Sequence, residues 1–186
     1  EYYALHMLYM DSRVRDEVEV LLKDSFYTEA EERIPTRTIK AIPKPPILLR
    51  YFIHPKDYRV KEAHEDEDGF VAAFVMRLNA VFNVRACVVS SGKDMGAFKG
   101  VGYPEDVADF FCLDTEYEAY QWIAHGRFPT NTPGWWGGAH PFTLLNLSVV
   151  HNGEVSSYGA NRRFLEMFDY SITLQTDTEV IAYAVD

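Results

Sequence analysis

The sequence predicts an α+β fold, sheets carrying helices on their outer faces, from three observations. Apolar residues recur at helical spacing in two long windows, 14–26 and 70–82. Short β-favouring runs are bounded by Gly, Pro, Asn and Asp. Strands and helices come in blocks, without the regular β-α-β alternation of a parallel sheet.

Taken in order, Tyr2–Met10 is strand-like, and Asp11 or Ser12 can cap a first helix. Val14, Val18, Leu21, Leu22 and Phe26 form its apolar stripe. The runs Ile34–Ile42 and Ile47–Ile53 read as strands, parted by Pro43, Pro45 and Pro46. Asp66–Asp68 place negative charge at the start of a second helix, whose wide apolar face holds Phe70, Val71, Phe74, Val75, Leu78, Val81 and Phe82. Val84–Val89 reads as a buried strand. Gly92, Gly96, Gly100 and Gly102 then predict a mobile loop. Its Ser-Gly-Lys lacks the Gly-Lys-Ser/Thr of a phosphate loop, which argues against nucleotide binding. Pro104 suits the first turn of a short helix through Phe111. Ala119–Phe128 and Leu144–Val150 are further strands, joined by a loop, Pro129–Pro141, with two tryptophans, three prolines and three glycines. A helix near Asn161–Phe168, a strand at Ser171–Gln175 and a final helix from Thr178 complete the chain.

The bulk properties narrow the class. At 186 residues, 47% of them hydrophobic, the chain suits one domain with a continuous core. A net charge of −10 argues against nucleic acid and anionic membranes. The acidic clusters Glu29–Glu32 and Glu62–Asp68 read as solvated helix starts or loop faces. Two cysteines, Cys87 and Cys112, stand in apolar contexts and give no disulfide framework, which points to a reducing, cytoplasmic setting. No apolar run reaches the roughly 18 residues of a membrane span. The sequon at Asn146 falls inside an expected strand and reads as chance. The chain opens without Met and its last helix stops in mid-course. The expectation is a single domain over 1–186, drawn from a longer polypeptide with material missing at both ends.

Three polar groups stand at ends of expected strands: Arg127, the Asn152-Gly153 pair and Asp177. Each has a plain explanation: a surface ion pair, a hairpin turn, and part of a capping box in Thr176-Asp-Thr-Glu179. As a set they suggest more. The segment after Gly153 is not a clean return strand, and the Pro129–Pro141 loop is costly in composition unless it wraps something. The six histidines show no metal-ligand spacing, and no cofactor is called for.

Ala124-His-Gly-Arg-Phe-Pro-Thr-Asn-Thr132, Ala139-His-Pro-Phe142, Val150-His-Asn-Gly-Glu-Val155 and Thr176-Asp-Thr-Glu179 occur in this order. Together they resemble the class II glutamine amidotransferase domain, most of all the glutaminase domain of glutamate synthases and its stand-alone relatives. The resemblance runs from about residue 121 to 183. It implies an N-terminal-nucleophile hydrolase, a four-layer αββα sandwich that cleaves the side-chain amide of L-glutamine to glutamate and ammonia. It further implies that Arg127 pairs with the glutamine α-carboxylate and Asp177 with its α-ammonium. Asn152 and Gly153 would form the oxyanion hole, and Phe128 and Thr130 would line the pocket.

The residue types suit those roles. A planar guanidinium grips a carboxylate through two parallel hydrogen bonds, and a carboxylate opposite it selects an amino acid's zwitterionic end. Two fixed donors match the charge that builds on the carbonyl oxygen. The family's nucleophile is a cysteine at the mature N-terminus, whose α-amine serves as base. Glu1 stands here instead, so that cysteine is expected upstream; Cys87 and Cys112 are internal and unsuited. Pro129 stands where relatives carry a small residue. The resemblance also implies an ammonia-accepting partner, such as an FMN-dependent glutamate synthase module, and a homo-oligomer is among the assemblies the sequence allows. The alternative is a degenerate amino-acid-binding or regulatory domain that lacks the nucleophile.

Overall fold

The computed structural model describes residues 1–126, 134–174 and 176–185, with two antiparallel sheets and six helices among them. The α+β expectation holds. The larger sheet runs β2-β3-β1-β4, where β1 is Tyr3–Tyr9, β2 Phe26–Arg33, β3 Ile47–Pro55 and β4 Ala86–Ser90. Every residue of β1 is buried, as a central strand covered on both faces requires. The smaller sheet pairs β5, Phe142–Leu144, with β6, Leu147–Val149.

Helix α1, Ser12–Ser25, starts where expected. Asp11 caps it, accepting from the N–H groups of Arg13 and Val14 at 2.9 and 3.0 Å. Val14, Val18 and Leu22 turn into the core against β1 and β2. Helix α3, Glu67–Phe82, is capped by Asp66 and packs against β3 and β4; of its expected apolar face only Val81 is left exposed. The short helices α2, Asp57–Ala63, and α4, Pro104–Phe110, lie before and after it. Helix α6, Asp177–Ala184, packs on β5 and β6, with α5, Tyr158–Glu166, beside it. Contact between β4 and β5 joins the two sheets, so the order is helix, sheet, sheet, helix.

Four expected elements differ. The second strand is not Ile34–Ile42 but Phe26–Arg33, with Phe26 leaving the helical stripe to begin it. After Phe26 this edge strand is wholly exposed, and it is held by its backbone ladder to β3. The acidic cluster Glu29–Glu32 is therefore a strand face, with Glu31 on Arg15 and Glu32 on Arg50. Ile34 gives one more amide to Leu48, and Pro35, which has no N–H, ends the ladder. Residues 119–126, expected in a strand, are irregular and mostly exposed. Leu144–Val150 is broken by a turn at Leu145-Asn146, with Leu145 at φ 48°, so the sequon asparagine lies in a turn rather than a strand. Residues 171–174 form no strand, because the amides of Thr173 and Leu174 go to the Glu179 carboxylate at 2.9 and 2.8 Å.

Candidate active site

The sequence-expected residues meet in part. Asp177 is the first residue of α6 and not the end of a strand. Thr176 caps that helix, its Oγ1 accepting from the Glu179 N–H at 3.2 Å. The fully buried Glu179 carboxylate accepts from the Thr173 and Leu174 amides at 2.9 and 2.8 Å. These bonds tie Thr173 and Leu174 to the first turn of α6, on which Asp177 stands.

Asn152 and Gly153 lie just beyond β6, both exposed. They do not form a hairpin turn: among the described residues no glycine has positive φ, and the true hairpin is at Leu145-Asn146. A Cβ on Gly153 would stand 3.0 Å from the His151 ring, so a larger residue here would require that imidazole to shift. The segment is tied to α6 by one bond, Val155 N–H to Asp177 Oδ2 at 2.9 Å. Residues 22 positions apart are thus brought together, with the acid two residues from the amide donors. Arg127, Phe128 and Thr130 lie outside the described residues.

Histidines extend this group. The ring of His125 packs on that of His140, centroids 4.3 Å apart, and His140 Nε2 lies 3.0 Å from Thr178 Oγ1. Thr178 donates to Asp177 Oδ1 at 3.4 Å. His140 and Thr178 are both buried. The sequence placed His125 and His140 within family-like motifs but assigned them no role, because the bond that joins His140 to α6 spans 38 residues.

A cleft of about 1570 Å³ opens beside these groups, lined by His6, Phe52, Trp122, His125, Trp135 and His140, among others. Asn152, Gly153 and Asp177 are not on its wall. His140 is therefore the link between the cleft and the acid. Behind the cleft lies a buried cation that the sequence gave no hint of. Lys99 Nζ donates to the Gly137 carbonyl at 3.1 Å and sits 4.3 Å from the Phe142 ring centre, its pKa lowered to about 8 by burial. Gly137 admits no Cβ, which would come within 2.4 Å of Trp135. Burial pushes the Cys87 thiol up to about 11, so it is protonated at neutral pH and makes a poor nucleophile. Among the described residues no three His, Cys, Asp or Glu side chains gather as a metal site, and no helix is long and apolar enough to cross a membrane.

The family model for class II glutamine amidotransferases matches residues 37–182. An uncharacterized protein of Archaeoglobus fulgidus is 52% identical over 188 residues, taking in the whole chain and 49% of that protein. A glutamine--fructose-6-phosphate aminotransferase of Acinetobacter baylyi is 41% identical over 64 residues, 34% of the chain and 10% of that protein. Its counterpart in Sulfurisphaera tokodaii is 37% identical over 73 residues, 38% of the chain and 12% of that protein. The chain thus spans about half of the archaeal relative and about a tenth of the aminotransferases. No solved structure matches it.

Proposed function

The chain belongs to the class II glutamine amidotransferases, and on that premise we propose that it binds L-glutamine and releases its side-chain nitrogen as ammonia for a partner synthase. The observation that supports this reading is the bond between Val155 N–H and Asp177 Oδ2, which ties the acid to the segment that carries Asn152 and Gly153.

The chemistry is acyl transfer. A cysteine thiolate, supplied by the mature N-terminus upstream of Glu1, adds to the amide carbon of glutamine. The carbonyl oxygen takes up the negative charge and is held by the Asn152 side-chain amide and the Gly153 N–H. The cysteine's α-amine, having taken the thiol proton, passes it to the amide nitrogen, the C–N bond breaks and ammonia departs, leaving a glutamyl thioester that water hydrolyses to glutamate and free thiol. Asp177 holds the α-ammonium, Arg127 the α-carboxylate, and Phe128 and Thr130 line the pocket.

For the acceptor, the likeness of Arg127–Thr132 favours a flavin-dependent glutamate synthase module in the cytoplasm. The aminotransferases named above couple glutamine to fructose 6-phosphate by name, but the regions they share cover little more than a third of this chain. The test is ammonia release from glutamine by the polypeptide with its natural upstream segment. Activity that disappears when the leading cysteine becomes serine supports the reading. Glutamine binding without any release, cysteine present, would leave the binding-module alternative.

A further inference from the structure

We infer that His140 and Thr178 are positioning residues that aim the Asp177 carboxylate at the ammonium group of the substrate. The inference rests on the assignment of Asp177 to that ammonium.

The argument begins with one proton. The Thr178 hydroxyl has a single hydrogen, and Asp177 Oδ1, 3.4 Å away, is acceptor only when ionised. With the hydroxyl hydrogen pointed at the carboxylate, Thr178 Oγ1 must accept from its other neighbour. That neighbour is His140 Nε2 at 3.0 Å, so His140 keeps a proton on Nε2. The second carboxylate oxygen is held by Val155 N–H at 2.9 Å. Both oxygens of Asp177 are thus fixed, one through α6 and the cleft wall, the other through the segment that carries Asn152 and Gly153.

Packing locks the far end of this line. His140 is buried, meets the Phe142 ring edge-on at 5.2 Å between centroids, and packs on the His125 ring at a tilt of 37°. A rotation of the imidazole would break both ring contacts together with the bond to Thr178. The carboxylate therefore keeps one orientation before substrate arrives, so that less ordering remains to be done on binding. Because the line ends on Asp177, its loss should be felt at the ammonium end of glutamine and nowhere else on the ligand.

That asymmetry gives the experiment. The full chain, its Thr178→Val variant and its Thr178→Ser variant are titrated calorimetrically with L-glutamine and with 4-carbamoylbutanoate, which lacks the amino group. Valine should weaken glutamine binding about tenfold, the usual size for one hydrogen bond to a charged group, and leave the analogue unchanged. Serine should restore glutamine binding. Equal weakening of both ligands, or no change in either, overturns the inference while the role of Asp177 stands. A wild-type chain that binds the two ligands alike overturns the assignment of Asp177, and the inference with it. If the valine variant does not fold, the ¹⁵N shifts of His140 in the wild-type chain decide: a protonated Nε2 supports the inference, and a bare Nε2 sinks it.

Discussion

Lys99 Nζ donates to the Gly137 carbonyl at 3.1 Å, pinning the glycine-rich 92–102 segment to the turn that leads into His140. Full burial of this ammonium is the largest influence on its pKa, lowering it to about 8, with Cys87 and Glu179 nearby supporting the charge. The unfolded chain holds the same proton to about pH 10.4. Between these values the unfolded state binds more protons, so stability contributed at Lys99 rises with pH. Relative to Lys99→Met, the wild-type chain should gain about 3 kcal/mol from pH 8 to 10.5. Urea unfolding at several pH values measures it, and parallel curves for the two proteins would mean that Lys99 titrates normally.

His6 gives the opposite limb. Burial lowers its pKa to about 4, partly opposed by its hydrogen bond with the Ala97 carbonyl at 3.2 Å. An unfolded imidazole takes its proton near pH 6.5. Stability contributed here is intact above pH 6.5 and is lost as pH falls toward 4. A His6→Asn variant should resist that decline, closing a gap of about 3 kcal/mol against the wild type between pH 6.5 and 4. Unfolding free energies at pH 7, 5.5 and 4 check it. An equal acid loss in both proteins would place the responsible group elsewhere.

Much of this was legible in the sequence, and what was missed has physical causes. Helices α1 and α3 announced themselves through apolar stripes, with a capping residue before the first and acidic residues at the start of the second, and β1 as the strand-like run Tyr2–Met10. Strand β2 did not, because Tyr27–Arg33 is exposed and is held by its backbone ladder and by ion pairs such as Glu32 to Arg50, which no apolar pattern announces. Residues 171–174 have the side chains of a strand but lose two amides to Glu179, a choice that local propensity cannot reveal. At the site, Asp177 and Asn152-Gly153 stood out as motifs. The Thr178–His140 bond and the burial of Lys99 arise from long-range packing, and no periodicity encodes either.

Glu179 should prove more important to the fold than its place on a helix suggests. It has no exposure, and its two oxygens hold the Thr173 and Leu174 amides at 2.8–2.9 Å. Glu179→Ala strands both donors in the interior and should cost about 3 kcal/mol or more. Glu179→Gln keeps one acceptor and should cost roughly half as much. Denaturant midpoints rank the two, and hydrogen exchange at Thr173 and Leu174 should quicken in step. An alanine variant within about 0.5 kcal/mol of wild type, the range of an ordinary surface change, would contradict the role given to these bonds.

Asn152 tests the chemistry. Its side chain is exposed beyond β6, so its removal should leave the fold intact. In the polypeptide that carries the leading cysteine, and on the role proposed for it above, Asn152→Ala takes away one of two donors to the developing oxyanion. The turnover number should fall on the order of 10²–10³-fold, with the KM for glutamine within about threefold, because the bond matures only in the transition state. Asp177→Asn should divide its effect the other way, raising KM with a smaller change in kcat. Steady-state ammonia release over a range of glutamine concentrations separates the two patterns. If the asparagine variant lost affinity and turnover in equal proportion, Asn152 would be holding the ground state, and another donor would have to meet the charge.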